Sequence, residues 1–256
     1  MRRRLRLGMI GGGQGAFIGA VHRIASRLDD HYELVAGVFS SNFETSKSSA
    51  EELRIDPGRH YKDYEEMAKQ EAEREDKIDV VAIVTPNHLH HDPAVCFLNK
   101  GFNVICDKPL TLNLEEANSL VKVVEKSGSL FALTHNYTGY PMVRQAREMI
   151  INNELGPIRL VQAEYAQDWL ATNLEANNKS EGYKQASWRT DPKRSGAGGC
   201  IGDIGTHAFN LISFITQLEL QELSADLTSF VPGRELDDNA QVMLRFKSGA
   251  KGSIWS

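Results

Sequence analysis

A glycine cluster constrains this chain more than anything else in it. Ile10-Gly11-Gly12-Gly13-Gln14-Gly15-Ala16 follows directly on the apolar run Leu5 to Ile10. Such a run reads as a buried strand, and the amphipathic segment beyond the glycines reads as a helix. At a strand-to-helix turn of this kind, residues without side chains let the backbone close on a pyrophosphate, which the positive end of the helix attracts. Gly11, Gly13 and Ala16 fit the G-x-G-x-x-G/A spacing, with Gln14, Gly15, Phe17 and Ile18 filling out the expected phosphate loop and helix start. Gly19 offers a rival third glycine, which implies a slightly longer loop. The opening Met1-Arg2-Arg3-Arg4 carries the charge of a secretory leader, but the glycines break the apolar stretch that a leader needs.

From residue 5 to about 136, short β-branched runs alternate with amphipathic segments, the pattern of a parallel sheet covered by helices on both faces. Strands are expected at 5–10, 32–39, 79–84, 103–106 and 130–136. Asn113 with Glu116 forms a capping box ahead of a helix that Gly128 closes, and Gly101 ends a helical segment beginning near His88. The charged stretch 65–77 reads as a solvated helix face without a role in chemistry. Beyond 136 the composition shifts. A helix at about 141–152, a Gly156-Pro157 break and a strand at 158–165 open a second domain. The polar segment 166–199 is long enough to suggest a loop kept for function or mobility. Alternating runs at 223–229, 240–246 and 250–255 predict antiparallel strands, with Ser248-Gly249 as a hairpin turn. The expected domains are 1–137 and 138–256, the second incomplete because its last strand runs to Ser256 with no terminating element.

Composition removes several function classes. With 29 Lys+Arg against 34 Asp+Glu the net charge is −5, so no overall positive field draws a nucleic-acid backbone. The longest apolar run, Val80–Val84, is far short of the roughly 18 residues that a membrane helix requires. Three cysteines without CxxC spacing argue against a disulfide framework or zinc knuckle and for a reducing compartment, the cytoplasm.

In NAD-binding sites an acid closes the second strand and takes the ribose hydroxyls; here the strand runs into Ser40-Ser41-Asn42. Small hydroxyl residues with Lys47 nearby suit a 2′-phosphate, which favours NADP over NAD, unless the serines serve only to cap the next helix. Three further segments matter together: Thr85-Pro86-Asn87-His88-Leu89-His90, Cys106-Asp107-Lys108-Pro109-Leu110, and Gly202-Asp203-Ile204-Gly205-Thr206-His207. With these the chain closely resembles, over essentially its whole length, the Gfo/Idh/MocA family of NAD(P)-dependent oxidoreductases. The family's E-K-P motif stands here as Asp107-Lys108-Pro109, and its D-x-G-x-H motif is matched by Asp203, Gly205 and His207.

The resemblance implies an N-terminal Rossmann domain, a doubly wound parallel sheet, and a C-terminal α+β domain on a large open, mainly antiparallel sheet that continues past residue 256. It implies reversible oxidation of a ring hydroxyl in a sugar, sugar derivative or inositol. Catalysis would fall to Lys108, His207 and Asp203, and cofactor contacts to Thr85, Pro86, Asn87, His90, Asp107, Lys108, Pro109 and Asn136. A homo-oligomer, dimer or tetramer, would pack on a sheet face bearing Leu227, Val242, Leu244 and Phe246. The rival readings are an NAD-dependent glycosidase and a non-catalytic dinucleotide-sensing regulator.

The residues themselves support this chemistry. Histidine, with an unperturbed pKa near 6.5, suits removal of a hydroxyl proton, and a lysine at the carboxyl end of a strand can stabilise developing alkoxide. Asp203 and His207, four apart at a helix start, should share a face. Asn136-Tyr137, expected to end the last strand of the first domain, would line the nicotinamide or substrate side. Trp169, Trp188 and Arg189, in or beside the long loop, offer an aromatic surface and a polar fork suited to a sugar or cyclitol, unless the two tryptophans serve only for packing. His88, His90, His91 and Asp92 do not read as a metal site, because successive residues at a helix start point in different directions.

Overall fold

In the computed structural model, which describes residues 3–177 and 183–256, the chain divides into two compact units, Met1–Thr134 and His135–Ser256. Met1, Arg2 and positions 178–182 of the long polar segment lie outside the described residues.

The first unit alternates strand and helix: β1 (Leu5–Gly11), α1 (Phe17–Leu28), β2 (Tyr32–Val38), α2 (Phe43–Glu52), α3 (Tyr64–Glu73), β3 (Val80–Val84), α4 (His91–Asn99), β4 (Asn103–Asp107), α5 (Leu114–Ser127) and β5 (Phe131–Thr134). The five strands form one parallel sheet in the order β2-β1-β3-β4-β5. Central β3 is buried along its whole length, as a strand covered on both faces must be. Two apolar clusters form around the sheet, one containing Phe97, Ile83 and Met67 and the other Met9, Phe39 and Val84. Asn113 caps α5 by accepting from the Glu116 amide, while the Glu116 carboxylate reaches the Leu112 amide. Gly128 closes that helix at φ +68, a left-handed conformation that glycine adopts without strain.

Three readings change in this unit. The last strand stops at Thr134, and Asn136 and Tyr137 sit in a 3-10 turn, Asn136–Gly139, that belongs to the second unit. The charged stretch 65–77 does form a helix, yet it is not wholly solvated. Glu71 is fully buried: its carboxylate takes two hydrogen bonds from Arg59, at 3.0 and 2.6 Å, and one each from Tyr61 Oη and the Ile78 amide. A buried acid survives only when it is saturated in this way. The helix ended by Gly101 starts at His91, because His88 lies in a separate 3-10 turn, Asn87–Leu89.

The second unit runs α6 (Pro141–Ile151), β6 (Leu160–Glu164), α7 (Tyr183–Arg189), α8 (Pro192–Ser195), α9 (Thr206–Thr216), β7 (Leu220–Thr228), β8 (Asn239–Phe246) and β9 (Lys251–Trp255). The sheet order is β6-β9-β8-β7, antiparallel between β7, β8 and β9 and parallel between β6 and β9. Segment 166–199 is no bare loop, since α7, α8 and the 3-10 turn Leu174–Ala176 interrupt it. The apolar sheet face is also not open. Val242, Leu244 and Phe246 are buried with Ile254 against Ala208 and Ile212 of α9, while Leu227 stays exposed. Alternation along β8 leaves Gln241, Met243 and Arg245 on the outer face instead.

Candidate active site

In the first unit the glycine turn is built for a phosphate. Gly11, Gly12 and Gly15 all have positive φ, and α1 begins without a side-chain cap or an acid in its first turn, so its positive end is left uncompensated. A dinucleotide pyrophosphate fits such an end. Gly19 takes the packing role of the third glycine, since a Cβ there would fall 2.3 Å from the Gly12 Cα. That favours the longer loop over a register ending at Ala16. Arg23 pins the turn by donating to the Gly12 carbonyl at 2.6 Å.

Not every residue of the expected loop faces a ligand. A Cβ at Gly13 would meet Ser49 Oγ at 2.6 Å and the Phe39 carbonyl oxygen at 2.7 Å, so that glycine is needed for packing against the protein itself. The Gln14 amide donates to Ser49 Oγ and its side chain to Ser48 and Glu52, turning it toward α2. Ile18 packs into the core under the sheet, whereas Phe17 is exposed. At the end of β2 no acid appears. Asn42 is the residue that caps α2, Ser40 Oγ accepts from the Asn42 amide, and Ser41 and Lys47 are exposed.

After β3, Asn87 is buried, and Thr85 Oγ1 donates to the Leu89 carbonyl. His90 is corrected by the structure. Its ring is 1% exposed, with Nδ1 2.7 Å from the Pro109 carbonyl oxygen and Nε2 2.9 Å from that of Thr85. Burial holds its pKa below the ordinary histidine value against the pull of both carbonyls. His90 therefore braces the turn after β3 against the segment Lys108-Pro109 and presents no free edge to a cofactor. His91 turns away to Asp92 and to Ser119 of α5. Among the described residues no three His, Cys, Asp or Glu side chains gather as a metal site.

Lys108 follows the last residue of β4 and is half-buried at the carboxyl edge of the sheet, where open α/β folds bind their ligands. Asp107 beside it is occupied by protein partners. Thr134 Oγ1 donates to its Oδ1 at 2.9 Å, and His22 Nε2 lies 3.9 Å away. Burial alone would raise its pKa, but His22, Thr134 and the Lys108 amide hold it below the ordinary carboxylate value. The charge of Asp107 thus fixes the strand end from which Lys108 projects.

In the second unit, a π-helical turn, Ile201–Gly205, runs into α9. Asp203 sits in that turn and His207 in the first turn of α9, so they are not on one regular helix. Asp237 fixes the turn by accepting from the Gly199 and Ile201 amides at 2.7 and 2.8 Å. Gly199 must be glycine, because a Cβ would lie 2.0 Å from the Asp237 carbonyl oxygen. Asp203 accepts from Arg189 Nε at 3.2 Å. The Arg189 guanidinium also donates to Gln185 and stacks 4.2 Å from the Trp188 ring and 5.6 Å from that of Trp169. These four predicted residues therefore meet at one place. Three of them, Trp169, Arg189 and Asp203, line a cavity of about 260 Å³.

His207 is 7% exposed and set among aromatic rings. Tyr137 stands edge-on at 4.8 Å, and His135 and Tyr165 follow at 6.1 Å each. The hydroxyls of Tyr137 and Tyr165 are hydrogen-bonded to each other, and burial together with that bond pushes the Tyr137 pKa up to about 12. Tyr165 and His135 carried no signal of their own in the sequence. Their only mark was position, one just beyond β6 and the other just beyond β5.

Comparison with known proteins agrees with this geometry. Residues 5–146 match the family model described as an oxidoreductase family with an NAD-binding Rossmann fold, and residues 143–256 match the GFO/IDH/MocA C-terminal domain. The uncharacterised oxidoreductase YfiI of Bacillus subtilis is 35% identical over 98% of this chain and 64% of its own length. An oxidoreductase from Sinorhizobium meliloti is 55% identical with TM-score 0.85, covering 99% of this chain and 65% of that one. An inositol dehydrogenase homolog from Azotobacter vinelandii, solved with NAD+, is 34% identical with TM-score 0.95, covering 100% of this chain and 65% of that one. A second structure of that homolog holds NADH and myo-inositol. This chain spans just under two thirds of the length of these relatives.

Proposed function

Because the chain belongs to the GFO/IDH/MocA oxidoreductase family, we propose that it serves an enzyme that reversibly oxidises a ring hydroxyl of a sugar, sugar derivative or inositol. The surroundings of His207 carry this reading: a buried imidazole edge-on to Tyr137, close in sequence to a carboxylate ion-paired with Arg189 beside a cavity. A bound nicotinamide dinucleotide supplies the hydride acceptor. His207 takes the hydroxyl proton, a task suited to a group whose ordinary pKa is near neutrality. Lys108, at the carboxyl edge of the first unit's sheet, is suited to donate to a substrate oxygen and to lower the energy of a developing alkoxide. Asp203, held by Arg189, accepts from a neighbouring hydroxyl, and the Trp169 ring offers an apolar surface for the C–H face of a sugar. The myo-inositol bound by the Azotobacter homolog supports a polyol of this size.

For the cofactor, the first unit's fold is NAD-binding, and we read NADP as the preferred form. Ser40, Ser41 and exposed Lys47 stand where an acid would repel a 2′-phosphate. The dinucleotide would be held by Gly11, Gly15 and the start of α1, with Pro86, Asn87 and Pro109 along the carboxyl edge of the sheet. The free thiols of Cys96, Cys106 and Cys200 support a reducing compartment, the cytoplasm. A homo-oligomer finds support on the outer sheet face, where Leu160, Met243 and Trp255 are exposed, rather than on the buried face. The decisive experiment is a polyol panel offered with NADP or NAD while absorbance is followed at the reduced-nicotinamide band. At least one polyol should drive reduction, faster with NADP. A protein that binds dinucleotide yet reduces it with no polyol would instead be a sensor.

A further inference from the structure

Arg234 lies in the β7–β8 connection, in neither signature motif, and its side chain is 2% exposed. A guanidinium has five N–H donors in a fixed plane, and here every one has an acceptor. Nε and Nη2 form a two-pronged pair with Glu175 at 2.8 and 3.0 Å. Nη1 donates to the Leu170 carbonyl at 2.8 Å and to Asp238 Oδ2 at 3.2 Å, and Nη2 also to the Thr172 carbonyl at 3.2 Å. Although Arg234 borders the cavity, it has no donor left for a ligand.

The two ends of this arrangement differ. On one side the β7–β8 connection is internally fixed: Asp238 accepts from the Phe230 and Val231 amides at 2.7 and 3.0 Å, and Ser229 Oγ donates to the Arg234 carbonyl. On the other side, segment 166–177 forms short turns, one closed by the Ala171 amide on the Asp168 carbonyl and one by Asn173 capping Leu174–Ala176. Trp169 lies in that first turn, next to a carbonyl that Arg234 holds.

We propose that Arg234, with Glu175, is a positioning residue for the substrate side of the cavity: it fastens the Trp169 segment to the fixed β7–β8 connection. The proposal rests on the polyol-oxidising reading above. Fastened in this way, the Trp169 ring stays against Arg189, and Arg189 stays on Asp203. Lysine cannot substitute, because one ammonium cannot reach two backbone carbonyls and two carboxylates on opposite sides. Glu175→Gln keeps the shape but removes the charge that makes the two-pronged pair strong.

The test compares Arg234→Lys and Glu175→Gln with wild type by steady-state kinetics on an oxidised polyol, by dinucleotide titration, and by amide hydrogen exchange of 166–177. The expected result is a KM for the polyol raised about tenfold or more, kcat within about threefold, an unchanged dinucleotide Kd, and faster exchange confined to that segment. Faster exchange with unchanged KM would reduce Arg234 to a structural part and overturn the proposal, as would unchanged exchange in both variants. If wild type oxidises no polyol, the reaction assigned above falls, and the fastening stands or falls on exchange alone.

Discussion

Gly19→Ala tests which register the phosphate turn uses. The added Cβ would lie 2.3 Å from the Gly12 Cα, 2.7 Å from its oxygen and 2.9 Å from its carbonyl carbon, where ordinary contact begins near 3.4 Å. All three atoms are backbone, so no side chain can swing aside, and α1 must retreat from the turn by about 1 Å. Alanine gains about 1 kcal/mol of helix propensity over glycine, and overpacking of this kind costs about 1–3 kcal/mol. The net loss is on the order of 1 kcal/mol, about 3–4 °C in Tm. The effect on the dinucleotide is larger. A 1 Å retreat removes at least one charge-assisted hydrogen bond to the pyrophosphate, worth about 1.5–3 kcal/mol, so Kd should rise about tenfold to a hundredfold. Ala16→Gly, at a half-exposed N-cap, should bind as wild type does. Isothermal titration with both dinucleotides reads the outcome. Gly19→Ala binding within twofold of wild type would refute the packing argument and return the third position to Ala16.

Three other outcomes follow from the same structure. Glu71→Ala leaves the buried Arg59 guanidinium without its main partner; the cost should be about 3–5 kcal/mol, and a Tm within about 3 °C of wild type would contradict the pairing. Ser40→Asp should reverse the NADP preference by repelling the 2′-phosphate, and a wild type that already favours NAD on titration would remove the basis for it. Asp79 is held below the ordinary carboxylate value by Arg3 first, and also by the Arg6 amide, against burial. Its contribution is therefore complete above about pH 4, the unfolded value, and lost as pH falls through the lower folded value. Asp79→Asn should flatten the acid limb of stability against pH, and an unchanged slope in urea titrations below pH 4 would oppose this.

The parallel sheet was legible because its strands are short apolar runs set between turns, and β3 at its centre is buried along its whole length. The ends of strands were less so: β5 looks continuous through Asn136, yet the chain turns at His135 into a 3-10 segment. Glu71 was hidden inside a run of like residues, and only its spatial meeting with Arg59 and Tyr61 distinguishes it. In the second unit, α7 and α8 are short and polar, so no apolar period marks them. The face bearing Val242, Leu244 and Phe246 was recognised as apolar, but alternation along a strand cannot say whether a helix of the same chain covers it. Lys108, Asp203 and His207 were legible through their resemblance to the motifs of a known family. Tyr165, His135 and Arg234 act through tertiary neighbours that no spacing records.

In the proposed reaction His207 moves the proton and Lys108 stabilises alkoxide, and neither is needed to hold the pyrophosphate. Single-turnover rates and dinucleotide Kd for His207→Ala, on a polyol that wild type oxidises, separate these roles. The rate should fall by about 10² to 10⁴ with Kd within about twofold of wild type, and Lys108→Ala should show the same pattern. Turnover near that of wild type in His207→Ala would mean that another group moves the proton, with Tyr137 the nearest ring to His207.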